Sequence, residues 1–134
     1  MSRAAFPAGA VSALLALLLC PAAGGALPRS AQDRPNDVVG PQIHFVYAVP
    51  RDGIDRALDT SGGIEGSATS FLRWLSRQTG GATLRVDTYQ GSIDVTFIRL
   101  AATDAAIASR GAFVRNAVEE ELHGMGFNRP DTIY

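Results

Sequence analysis

The chain has 134 residues, with twelve basic side chains, all of them arginine, against thirteen acidic ones. The formal charge of -1 leaves no basic stripe able to release counterions from a nucleic acid, so nucleic-acid binding is not expected. Cys20 is the only cysteine, which rules out an intrachain disulfide and a thiolate metal cluster.

Met1 and Arg3 open the chain with positive charge, Ala10 to Leu19 form an apolar run broken only by Ser12, and Cys20 to Ala26 is small and Gly/Ala-rich. This is the pattern of a secretory signal peptide over residues 1–26, cleaved near Ala26 where small residues precede Leu27-Pro28. The apolar core is about ten residues, against the ~20 needed to span a bilayer, so a permanent membrane anchor is not expected. Acylation of Cys20 as a lipoprotein is disfavoured by bulky Leu19 and by Pro21. The expectation is a secreted or extracytoplasmic protein.

Residues 27–41 are rich in Pro, Asp, Ser, Arg and Gly, a composition that repays little ordering entropy and reads as a flexible leader. One folded domain then covers residues 42–134. Ile43 to Val49 is a continuous apolar and aromatic run ended by Pro50, suited to a strand covered on both faces. His44 is its one strongly polar member. With no second histidine nearby, His44 reads as a hydrogen-bonded core residue rather than a metal ligand.

Asp52, Asp55 and Asp59 follow that strand, and ligands of open α/β sheets gather beyond the carboxyl ends of strands. They are the candidate ligand-binding loop. Their spacing does not match the Asp-rich loop that wraps calcium, and an Asp52-Gly53 turn with solvated neighbours is the simpler reading.

From Ile64 the apolar positions Ile64, Ala68, Phe71, Leu72 and Leu75 step by three and four, predicting a helix capped by Ser61 and ended at Gly80-Gly81. Trp74 lies at the margin of this stripe and is expected to be partly buried in the core. Leu84 and Val86, then Ile93, Val95 and Phe97, alternate with polar residues about Gln90-Gly91 and predict a two-strand hairpin. Thr103 can cap a second helical segment through Ile107, Val114, Val118, Leu122 and Met125, split at Gly111. Thr132 to Tyr134 has strand chemistry, and the end of the chain there leads us to expect a truncated reading frame.

The recovered order is strand, helix, strand, strand, helix, strand. It defines an α/β class with a mixed sheet, with a ferredoxin-like α+β sandwich as the alternative. Glu119 to Arg129 has the frame of the zinc motif H-E-x-x-H-x-x-G-x-x-H, but only His123 stands at a ligand position. Arg129 at the third ligand position cannot bind a cation. No catalytic or metal residue is assigned.

Three segments, IHFVYAVPRDGIDR, LRVDTYQGSIDVTFIRL and GAFVRNAVEEELHGMGF, together resemble the opening part of secreted, uncharacterised bacterial proteins, mainly actinobacterial. Those proteins are similar to zincin-type zinc metallopeptidases. The resemblance spans residues 42–134 and implies an incomplete zincin-like domain: an N-terminal, non-catalytic portion that is inactive alone. Zinc is then expected only with a downstream H-E-x-x-H helix, and a peptide or protein substrate would lie along the sheet edge. The alternative is a small extracytoplasmic ligand- or protein-binding module without enzymatic activity.

Overall fold

The computed structural model describes residues 27–134; the expected signal peptide, its expected cleavage point and Cys20 lie outside the described residues. The first strand forms as the apolar run predicts, in two pieces, β1 (Gln42–Ile43) and β2 (Phe45–Val49), separated only by His44. A left-handed Gly62, φ 77°, turns the chain into α1 (Gly63–Gln78). The cap expected from Ser61 does not form: Gly62 occupies that position and no side chain caps the helix. Gly80 and Gly81 both adopt positive φ and end it as expected.

The predicted hairpin is much shorter than its alternation implies. Only β3 (Thr88–Tyr89) and β4 (Ser92–Ile93) pair antiparallel, across a turn in which Gln90 and Gly91 have φ of 52° and 79°. The flanking residues leave the hairpin and run parallel to the first strand instead. Val86 bridges Ile43, and β5 (Val95–Arg99) pairs with β2 from Phe45↔Val95 to Val49↔Arg99. The hairpin is thus a detour within one strand. The reason is that a parallel partner covered on both faces buries more apolar surface than an isolated hairpin, which is marginal in water.

After β5, Thr103 accepts a hydrogen bond from the Ala106 N–H and caps α2 (Asp104–Ala108) as predicted. Gly111, at φ 55°, opens a 3-10 turn over Gly111–Phe113 that splits the helical stretch before α3 (Val114–Gly124). The chain returns as β6 (Thr132–Ile133), parallel to β1. Segment 42–49 therefore lies between β6 on one side and Val86 with β5 on the other. Each ladder contains two strands, and the whole is a mixed α/β fold.

The core joins β5 to the second helical segment: Ile98, Leu100, Ile107 and Leu122 are buried together, with Val46, Ala48, Val118 and Phe127 against them. α1 contributes little, since Ala68 is its only buried residue. Trp74 is 50 % exposed and stacks on Phe71 at 5.9 Å, so it is not the core residue that its position on the stripe predicts. Among the described residues no helix is long and apolar enough to cross a membrane.

Residues 27–41, assigned by composition to a flexible leader, lie against the body through polar contacts. The Phe97 N–H donates to the Ser30 carbonyl at 2.8 Å, Asp37 accepts from the Gln90 and Gly91 amides, and Arg85 donates to the Val39 carbonyl. The two turn amides hold the Asp37 carboxyl below its ordinary range, Gly91 most strongly.

Candidate functional site

The three aspartates of the predicted loop do not converge. Asp52 accepts from the Asp104 N–H at 2.8 Å, at the start of α2. Asp55 and Asp59 come together around Arg29 of the leader: its Nη1 lies 2.5 Å from Asp55, and its Nε and Nη2 donate to both oxygens of Asp59 at 2.7 and 2.6 Å. Arg29 also sits 3.9 Å above the Phe97 ring. The cation in this cradle is the chain's own guanidinium.

Hydrogen bonding from Arg29, followed by the Ala57 N–H, lowers the Asp55 carboxyl to about 2. A carboxylate depressed in the fold stabilises it above the unfolded-state value, and that contribution is lost as pH falls toward 2. Carboxyl-carbon NMR should find Asp55 titrating near 2. In Arg29→Ala it should move up toward the ordinary carboxylate range; an unmoved midpoint would show that the guanidinium does not control it.

A second constellation is more deeply buried. His44, between β1 and β2, is 2 % exposed; its Nδ1 lies 2.7 Å from Asp87 Oδ2 and its Nε2 2.8 Å from Thr96 Oγ1. Asp87 is 1 % exposed, while Asp94 and Thr96 are completely buried. The hairpin detour explains how they meet: Asp87 and Asp94 stand at its two ends, where the Asp94 N–H donates to the Asp87 carbonyl at 3.1 Å. Register then sets Thr96, on β5, beside the first strand.

Residues from both ends of the described chain close over this group. Asp33 Oδ1 approaches His44 Nδ1 at 3.7 Å, and the Tyr134 hydroxyl donates to Asp33 Oδ2 at 3.1 Å. The Tyr134 ring packs edge-on against His44 at 5.6 Å. Arg34 donates to both oxygens of Asp94, through its backbone N–H at 3.1 Å and through Nη1. Arg129 stands 3.8 Å from Asp33 at the rim.

The electrostatics follow from burial. Desolvation raises the Asp87 carboxyl above its ordinary range, opposed by the hydrogen bond to His44. Tyr134 is also raised, by burial first and then by the adjacent Asp33 charge. Among the described residues, the oxygens Asp33 Oδ1 and Asp87 Oδ1 are both shut off from solvent without a hydrogen-bond partner.

Asp87, His44 and Thr96 form a carboxylate, imidazole and hydroxyl series like that of a nucleophilic triad. A nucleophile must reach a substrate carbonyl, however, and Thr96 has no exposed surface. The series can fix the imidazole's orientation and hold a proton; it cannot attack a bound molecule in this arrangement.

The zinc-motif frame resolves into ordinary helix-end chemistry. Glu119 pairs with Arg115 one turn away at 2.5 Å, His123 is exposed, and Arg129 lies between Asp33 and Asp131. These residues do not fit a zinc ion.

Sequence reasoning singled out His44 but not its partners. Asp87 and Asp94 occupy the polar places of an alternating pattern, and nothing in their spacing distinguishes a buried carboxylate from a solvated one. Comparison with protein-family models, curated proteins and solved structures finds no match to this chain.

Proposed function

We propose that the described domain is the non-catalytic scaffold of an exported, metallopeptidase-like protein, and that it receives an extended peptide along the outer edge of β6. The observation carrying this reading is the parallel placement of β6 beside β1, with Ile133 65 % exposed and no described strand beyond it. An edge strand offers unpaired backbone donors and acceptors to an added strand. Parallel pairing of both β5 and β6 favours the zincin-like α/β reading over a ferredoxin-like sandwich, since α+β sandwiches are built on antiparallel sheets. The sealed Asp87, His44 and Thr96 series fits a part that does no chemistry alone.

A binding module centred on Asp52, Asp55 and Asp59 is the weaker reading, because Arg29 already neutralises two of them. The test has two parts. The purified chain, supplied with zinc, should hydrolyse no peptide from a mixed-sequence library, and the reading frame downstream of Tyr134 should encode H-E-x-x-H. Peptide hydrolysis by the chain itself, or no such motif within about a hundred downstream residues, would overturn the proposal.

A further inference from the structure

We infer that Asp33, His44, Asp87 and Asp94 form a binding site for one divalent transition-metal cation of the Mn2+ or Zn2+ class. One candidate ligand atom from each of the four residues lies within 4.8 Å of all the others. Two ligands on opposite sides of a cation with bonds of about 2.1–2.4 Å stand about 4.2–4.8 Å apart, so a single ion can span the group.

The second, independent observation is the orphaned oxygen on Asp87. This side chain is 1 % exposed, and among the described residues its Oδ1 has neither a hydrogen-bond partner nor access to solvent; Asp33 Oδ1, facing His44, is in the same condition. A buried carboxylate oxygen without a partner costs free energy comparable to a lost charged hydrogen bond, so something is expected to satisfy it. The charges lead to the same conclusion. Three carboxylates meet one guanidinium, Arg34, inside the group and a second, Arg129, only at its rim. One divalent ion offsets the remainder without adding any side chain.

Donor chemistry narrows the class. One imidazole with three carboxylates and no thiolate suits borderline cations such as Mn2+ and Zn2+ better than calcium, which prefers an all-oxygen shell. His44 would ligate through Nδ1, the nitrogen facing Asp87 and Asp33, leaving Nε2 to carry the proton and donate it to Thr96 Oγ1 2.8 Å away. Entry would be past Asp33 and Tyr134, which line a surface groove together with Phe127 and Arg129. Ligation through Nδ1 would take the place of the hydrogen bond between His44 Nδ1 and Asp87 Oδ2.

Calorimetric titration of the chelator-stripped full chain with MnCl2 and with ZnCl2 tests this inference. One ion per chain is expected for at least one of the two metals. Asp33→Asn and Asp87→Asn should each weaken binding on the order of ten- to a hundredfold, while His123→Ala, which removes an exposed surface imidazole, should leave it unchanged. If Asp87→Asn does not fold by circular dichroism, Asp33→Asn carries the test, because Asp33 sits at the partly exposed rim. Nitrogen NMR of His44 should show Nδ1 shifting when zinc is added. No uptake of either metal, or uptake indifferent to Asp33→Asn, or uptake abolished by His123→Ala, would overturn the site. A stability that rises only on acidification and ignores both metals would instead assign the group to a shared proton.

Discussion

Asp94→Ala should destabilise the protein by about 3–5 kcal/mol, read as a lower midpoint in urea denaturation. Asp94 is fully buried, and Arg34, with 13 % of its side chain exposed, would be left largely buried without this carboxylate partner. An opposing effect exists: removing one of three clustered carboxylates relieves repulsion on the other two. Order of size decides between them, because burial and then Asp33 raise the Asp87 carboxyl more than Asp94 does. Breaking one side of a buried ion pair costs several kcal/mol by comparison. Asp94→Asn, which keeps an oxygen for the Arg34 N–H, should lose less. A stabilised Asp94→Ala would mean that repulsion dominates the group.

Leu100→Ala should cost about 2–5 kcal/mol, checked by urea or thermal unfolding of the same preparation. Leu100 is 2 % exposed and packs with Ile98, Ile107 and Leu122, at the point where β5 meets the helices behind it. Its N–H donates to the Val49 carbonyl, so the backbone is pinned and the cavity left by truncation cannot close by strand movement. Small domains hold only about 5–15 kcal/mol in total, so this one truncation removes a large share. Trp74→Ala deletes a larger side chain, yet should move the midpoint by about 0.5 kcal/mol or less, because Trp74 is half exposed and contacts Phe71 on the same helix surface. A larger loss from Trp74 than from Leu100 would contradict the placement of the core.

These contrasts locate what the sequence made legible. The apolar run from Ile43, the three-to-four spacing after Ile64, the Thr103 cap and the break at Gly111 are local signals, and each became the element it predicted. Local signals do not say which partner a strand selects, and the alternation around Gln90-Gly91 fits a hairpin and a parallel strand equally well until segment 42–49 is available. The leader shows the same limit in another form. Its composition lacks apolar residues, but its ties are Arg29 to Asp55 and Asp59, Arg34 to Asp94, and Asp37 to two turn amides, none visible to a hydrophobic count. Of the buried group only His44 could be singled out, because a lone imidazole in an apolar strand is conspicuous. Its carboxylate partners look like any other charged residue until the chain has closed.

The detour from Asp87 to Asp94 also divides the buried group into local and long-range contacts. Hairpins close in about 1–10 μs, whereas contacts between distant segments wait on slower chain search. Two of the four acid and imidazole groups are close in sequence, joined by a connection only six residues long. His44, separated by 43 positions from Asp87, can join them only when the parallel sheet assembles. The hairpin base thus belongs to the local contacts of the chain, and the imidazole to its long-range ones.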